Sequence, residues 1–179
     1  LLDLPIENAA LALQVYAALG LPWQPQALRS ALLAAQMPGR LQKLEVSWQG
    51  RTVQLLLDVA HNPHAAEYLA QRLHHRAVKG RRLAVLGVLD DKDLTGIVQP
   101  IEAQIDSWAV ATLPSPRSYK KEHLVQVLQQ RNGKVVACES IAQAIETQCA
   151  AATADDQIII FGSFFTVAEA LKWLNTQTQ

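Results

Sequence analysis

A chain of 179 residues and 19.7 kDa has the size of one ordinary domain, or of one domain with an appendage. Half of its residues are hydrophobic and 18% are charged, which excludes a wholly disordered chain. The 16 basic side chains balance the 16 acidic ones, and a net charge of zero argues against a dedicated binder of nucleic acid or of an anionic membrane while leaving room for a local phosphate pocket.

In chain order, the Ala- and Leu-rich run from Asn8 to Leu19 is predicted as a helix that Gly20 stops. Pro25 to Ala35 follows as a shorter helix. Met37-Pro38-Gly39 is then a strong break and marks a domain boundary, giving a helical segment over 1–37 and a second domain over 38–179. Beyond it the period changes. Leu41 to Trp48 alternates apolar and polar residues, as a half-buried strand does, and Gln49-Gly50 turns it into a second strand, Val53 to Leu57. Helices are predicted at Pro63 to Arg76, Leu94 to Gln104, Lys120 to Gln130, Ile141 to Ala151 and Thr166 to Asn175. Strands alternate with them at Leu83 to Leu89, Ser107 to Thr112, Lys134 to Ala137 and Gln157 to Phe161. The apolar runs Leu83 to Leu86 and Ile158 to Phe161 do not alternate, as expected of strands buried on both faces. The expected fold class is therefore α/β, a mostly parallel sheet flanked by helices, with a β-hairpin at its start and a short helical segment before it. Leu44, Val46, Val85, Leu86, Ile159 and Phe161 are expected in its core.

Ligands of open parallel sheets bind outside the carboxyl ends of the strands. The segments that follow the predicted strands are Asp58 to Pro63, Gly87 to Asp93, Leu113 to Ser118 and Gly162-Ser163. Together they bring carboxylates, a histidine, an arginine and hydroxyls to one edge. The opposite edge carries Lys79 to Arg82, Asn132 to Lys134 and Asp155-Asp156, which read as solvated turns. Each ligand-edge loop has a plainer reading as well. Asn62-Pro63 is a helix start in itself, and Asp91, Asp93 and Ser163 suit helix caps. His61 differs, because a cap does not require a histidine beside it, and a His at a helix N-terminus can meet a phosphate or a carboxylate. The stripe Leu11, Leu13, Tyr16, Leu19 reads as core or interface.

Cys138 and Cys149 have no partners at metal-ligand spacing, which argues against zinc; two free thiols suit a reducing cytoplasm, with a single disulfide as the alternative. The uncharged stretch Asn8 to Leu28 carries Gln14, Pro22, Gln24, Pro25 and Gln26, too polar for a bilayer span of about 20 apolar residues. No targeting signal opens the chain, and it starts at Leu1 within a helical pattern, so it is expected to be a piece of a longer protein. Neither phosphate-loop motif, G-x-x-x-x-G-K-[ST] nor G-x-G-x-x-G, is present, and neither is the G-x-S-x-G elbow of serine hydrolases.

Met37-Pro38-Gly39-Arg40-Leu41-Gln42, followed by Leu57-Asp58-Val59-Ala60-His61-Asn62-Pro63-His64-Ala65-Ala66, resembles the Mur ligase superfamily. The likeness is nearest to its bacterial folylpolyglutamate synthase branch, whose members also act as dihydrofolate synthases. Gly87 to Asp93, Ser115-Pro116-Arg117-Ser118 and Gly162-Ser163-Phe164 extend it in the same order. The resemblance spans the chain and corresponds to about the last two-fifths of such an enzyme. It implies that Leu1 to Gln36 is a remnant of an ATPase domain, and that the rest is the carboxy-terminal domain. It further implies a cytoplasmic, ATP-dependent acid–amino-acid ligase of folate biosynthesis. ATP would convert the carboxylate of dihydropteroate or a reduced folate into an acyl phosphate, which the amine of L-glutamate attacks. Mg2+ would be bound in the amino-terminal ATPase domain, the expected partner of this chain, and this piece by itself would be inactive.

By motif matching, Asn8 corresponds to a contact on the adenine side of ATP, Arg40 to a phosphate contact and Asp58 to a ribose contact. His61 falls near the reacting phosphate and the incoming glutamate, and Ser163 at the glutamate-binding edge. These residue types suit the roles, since Arg donates a planar charged fork to phosphate and a carboxylate accepts from two hydroxyls. Two other readings stand beside this one: an amino-acid ligase of cell-wall synthesis from the same superfamily, and a non-catalytic nucleotide-binding or interaction module.

Overall fold

A computed structural model describes residues 5–35, 37–131 and 133–177. Residues 1–4, 36, 132 and 178–179 lie outside that description, so the ends of the two expected domains and part of the turn expected at 132–134 fall beyond it. The chain divides into two compact units, Leu1–Gln42 and Lys43–Gln179.

The first unit contains α1 (Ile6–Ala18) and α2 (Pro25–Ala34). Pro25 opens α2 at its first turn, where a missing N–H costs nothing. The stripe read as core or interface does not form a core in this unit, with Leu11 60% and Leu19 68% exposed. Leu13, Trp23, Leu28 and Leu32 line an apolar groove of about 420 Å3 within this unit. At its end, Arg40 N–H donates to Met37 O (3.0 Å), Gly39 N–H donates to Gln42 Oε1 (2.9 Å), and Leu41 adopts a positive φ of 45°.

The second unit is a six-stranded sheet in the order β1-β2-β6-β3-β4-β5. Its strands are β1 (Gln42–Trp48), β2 (Arg51–Leu57), β3 (Arg82–Leu86), β4 (Ser107–Ala111), β5 (Val135–Cys138) and β6 (Gln157–Phe161). Gln49 and Gly50 both take positive φ (48° and 78°), the two-residue turn whose twist suits an antiparallel hairpin of β1 and β2. The other pairings are parallel, and the registers Leu57↔Ile160, Leu86↔Phe161 and Ala111↔Cys138 end the strands together on one edge.

Both sheet faces are covered, which is why the central strands are apolar without alternation. On one face Leu55, Leu57, Leu83, Val85, Ile158 and Ile160 join α6 (Ile141–Ala151) and α7 (Phe164–Gln177) in one core cluster. On the other, Leu56, Ala84, Leu86, Trp108, Ile159 and Phe161 are buried. There Arg82 reaches back to Leu73 O (2.7 Å) at the end of α3 (Pro63–His74), and Trp108 packs on Phe161 with ring centroids 6.1 Å apart. Burial of each such Leu or Ile stabilises by about 1.5–3 kcal/mol. Of the expected core set only Leu44 departs, being half-buried, because β1 is the edge strand.

Three differences from expectation have a plain structural cause, while other element ends move by one or two residues. The strand predicted to run to Leu89 stops at Leu86, since its partner β6 ends at Phe161. The helix predicted over Leu94 to Gln104 breaks into α4 (Leu94–Val98) and a single 3-10 turn, Glu102–Gln104. Pro100 explains the break: it lacks the N–H that the next turn of the helix needs, although Gln99 before it still keeps helical geometry. The last helix begins at Phe164, earlier than expected, because Ser163 caps it. The remaining helix, α5 (Lys121–Gln130), keeps its predicted extent to within one residue.

Candidate functional site

The loop after β2 is set by its own hydrogen bonds. Asp58 N–H continues the sheet to Ile160 O (3.0 Å), and Asp58 Oδ1 accepts from Ala60 N–H (2.8 Å). The carboxylate is 4% exposed, so its orientation is fixed by packing as well as by that bond. His61 Nδ1 lies 2.9 Å from Val59 O. A carbonyl only accepts, so Nδ1 carries the proton in this contact and Nε2 is left to meet a ligand. The His61 ring lies against Phe164, with centroids 5.6 Å apart. Asn62 is a cap: its Oδ1 accepts from Ala65 N–H (2.9 Å), and Pro63 opens α3.

The loop after β6 requires glycine. Gly162 has φ of 115°, and a Cβ there would stand 2.5 Å from Gly87 O. Ser163 is 3% exposed and its Oγ accepts from Thr166 N–H (3.0 Å). Thr166 spends its hydroxyl proton on Gly87 O (2.6 Å), so the 2.8 Å contact between the two hydroxyls is donated by Ser163. This relay ties the loops after β6 and β3 together. It also commits the Ser163 hydroxyl to capping α7.

The loops after β3 and β4 are joined in turn. Leu89 bridges Ser118, Asp90 N–H donates to Arg117 O (2.8 Å), and Tyr119 OH donates to Lys92 O (3.1 Å). Asp93 caps α4 through Gly96 N–H (2.9 Å). Lys92 Nζ (3.0 Å) and Arg117 Nη2 (2.7 Å) both rest on the same oxygen of Asp91. The hydrogen bond from Lys92, with the Arg117 charge beside it, holds the Asp91 carboxyl below its ordinary range.

These four loops enclose a cleft of about 240 Å3, lined by His61, Leu89, Lys92, Arg117, Ser163, Phe164 and Phe165. It lies at the carboxyl edge of the sheet, as the strand-end argument expects. It unites His61 with Ser163. Asp58 is not in that lining but lies three residues before His61, buried just after β2, and Asn8 and Arg40 belong to the other compact unit, where Asn8 is exposed and Arg40 half-buried. Lys92, Arg117 and the exposed pair Phe164-Phe165 were not singled out from sequence as site residues. Their signal was available, because each lies in a segment that follows a strand, and two adjacent exposed aromatics at a helix start are unusual in a solvated turn. Among the described residues no group of three or more His, Cys, Asp or Glu side chains gathers as a metal site. Cys138 and Cys149 are both free and buried, and burial, followed by the charge of Glu146, pushes the Cys149 thiol up to about 12. No helix among the described residues is long and apolar enough to cross a membrane.

Comparison with known proteins finds the same fold and family. A protein of Escherichia coli K12 described as dihydrofolate synthase/folylpolyglutamate synthase is 39% identical over 173 residues, which is 97% of this chain and 39% of that protein. A Mycobacterium tuberculosis protein of the same description is 37% identical over 146 residues, 78% of this chain and 29% of the relative. The chain thus spans about two-fifths or less of the curated relatives it matches. Among solved structures, E. coli FolC in complex with DHPP and ADP superposes with a TM-score of 0.88 at 36% identity, over 100% of this chain and 41% of that one. A bifunctional folylpolyglutamate synthase/dihydrofolate synthase with Mn, AMPPNP and L-glutamate bound gives 0.84 at 35% identity, over 96% of this chain and 40% of that one. The model of the Mur ligase glutamate ligase domain matches residues 39–164, most of the sheet unit, and the chain belongs to the Mur ligase family.

Proposed function

We propose that this chain is the carboxy-terminal part of a bifunctional dihydrofolate synthase/folylpolyglutamate synthase. The whole enzyme would join L-glutamate to dihydropteroate or a reduced folate at the expense of ATP, with Mg2+, in the cytoplasm. The observation that carries this reading is the cleft in which one imidazole, two cations and a capped helix start meet at the strand ends. Its two cations suit an anionic ligand, and one solved relative has L-glutamate bound. ATP supplies a phosphoryl group that makes the substrate carboxylate an acyl phosphate.

The residues of this chain do the positioning. Nδ1–H of His61 bonded to Val59 O leaves Nε2 with a lone pair, suited to accept a proton from the incoming amine. Arg40 offers a guanidinium to phosphate, Asp58 a buried and oriented carboxylate to a ribose, and Asn8 an exposed amide on the adenine side. Ser163 contributes chiefly by holding the α7 start, whose Phe164 and Phe165 line the cleft. The helical unit 1–37, with its exposed Leu11, Leu19 and Trp23, is read as the remnant of an ATPase domain that buries them. Metal ligands are expected in that domain.

The test is a parent-length protein assayed for ATP-dependent addition of glutamate to dihydropteroate and to tetrahydrofolate. Amide formation with either supports the reading. ATP turnover with neither, but with a cell-wall precursor, would move the protein to another branch of the family.

A further inference from the structure

Asp91 is the least expected part of the cleft. A site for an anion ordinarily presents its cations to solvent, yet here Lys92 Nζ and Arg117 Nη2 converge on one oxygen of a neighbouring carboxylate, at 3.0 and 2.7 Å. The three side chains remain accessible, with Lys92 30%, Asp91 40% and Arg117 64% exposed, so the pairing is reversible without rebuilding the core. The backbone beneath them is fixed, by the Leu89–Ser118 bridge, by Asp90 N–H on Arg117 O, and by Tyr119 OH on Lys92 O. Asp90 and Asp93 do not compete for the same cations: Asp90 makes no ion pair with them, and Asp93 is committed to Gly96 N–H. Both cations line the cleft that holds His61 and Ser163.

We propose that Asp91 is a built-in stand-in for a ligand carboxylate, which an α-amino dicarboxylate displaces as it enters the cleft. Lys92 and Arg117 form the clamp that then takes one carboxylate of the ligand. The Asp91 side chain swings to solvent, where it needs no partner. A ligand without a carboxylate leaves the internal pair intact and gains nothing from the clamp, so the exchange selects for a carboxylate. An exposed ion pair contributes little, which makes the exchange inexpensive, whereas a ligand carboxylate brings two oxygens and can satisfy both cations in bidentate fashion. The proposal rests on reading the cleft as the amino-acid site, and it adds the gate and its mechanism.

The experiment uses the 179-residue chain and measures binding of two probes by calorimetry or by NMR shifts of the His61 ring. Glutarate, which has no amine, reads the clamp alone; L-glutamate reads the clamp together with the amine site. Asp91→Asn keeps shape and removes the competing charge, and is expected to tighten glutarate about fivefold to tenfold, the scale set by two exposed ion pairs. Lys92→Ala and Arg117→Ala should each weaken glutarate severalfold, and Asp91→Asn should give no gain in the Arg117→Ala background. All three side chains are accessible, so unchanged melting temperatures check that the fold is kept. Unaltered or weaker glutarate binding in Asp91→Asn overturns the proposal, as Asp91 would then be positioning the cations. No binding of either probe to any variant overturns it too. A gain for glutarate with no preference of the chain for L-glutamate over L-glutamine supports the gate and removes the amino-acid reading of the cleft.

Discussion

Removing the Ser163 hydroxyl should destabilise the sheet unit even though the residue lines a candidate binding cleft. In Ser163→Ala, Thr166 N–H loses its acceptor at 3.0 Å and Thr166 Oγ1 loses the proton donated at 2.8 Å, both at buried positions. An N-cap removed costs about 0.5–2 kcal/mol. A buried acceptor left unmade adds up to about 1 kcal/mol, since Thr166 still donates to Gly87 O. A loss of about 2 kcal/mol is therefore expected, which lowers the melting temperature by about 4–8 °C in a domain of this size. Thr166→Val breaks the same relay from the other end and strands Gly87 O. Because the two substitutions share one hydrogen bond, the double variant should lose less than the two single losses added together. Thermal and urea unfolding of the chain, followed by tryptophan fluorescence, measures all three. An unchanged midpoint in Ser163→Ala, or strict additivity in the double variant, would refute the relay and return the Ser163 hydroxyl to the ligand.

Three further outcomes are expected. Gly162→Ala forces a Cβ against Gly87 O at 2.5 Å in a backbone region that side chains avoid, so it should cost at least about 2 kcal/mol, read as a fall in the urea midpoint. Burial alone would raise the Asp156 carboxyl, but hydrogen bonds from the Arg81 side chain, Arg81 N–H and Thr153 N–H outweigh it and hold it at about 2. A carboxyl depressed in the folded state gives stability that is complete above its unfolded value near 3.9 and is lost as pH falls toward 2. Acid unfolding between pH 4 and 2 should therefore be shallower in Asp156→Asn, which a pH series of urea midpoints detects. In a parent-length enzyme, Arg40→Ala should weaken ATP about tenfold to a hundredfold, the scale of a charge-assisted hydrogen bond. His61→Ala should lower the maximal rate more than ATP affinity, and steady-state kinetics at saturating substrate separate the two effects.

The sequence by itself determined the sheet. Ile158 to Phe161 and Leu83 to Leu86 are apolar without alternation because both faces of a central parallel strand are buried, and that requirement is written residue by residue. It also pointed to the edge where the candidate cleft lies, since chemistry-bearing side chains follow the strand ends, and it marked Asn62-Pro63 as a helix start. The extent of β3 was not legible, because where a strand ends depends on where its neighbour stops, and β6 stops at Phe161. The break at Pro100 was legible and was overrun by the apolar period on either side of it. Tertiary structure alone decided what Ser163 does, for its hydroxyl is committed to partners 3 and 76 positions away through Thr166 and Gly87, a relation no local pattern encodes. It alone assembled Lys92 and Arg117, which stand on different strand-end loops, around one oxygen of Asp91. Local periodicity reports burial along one element, whereas a binding cleft is made of side chains that share nothing but a neighbourhood created by strand order.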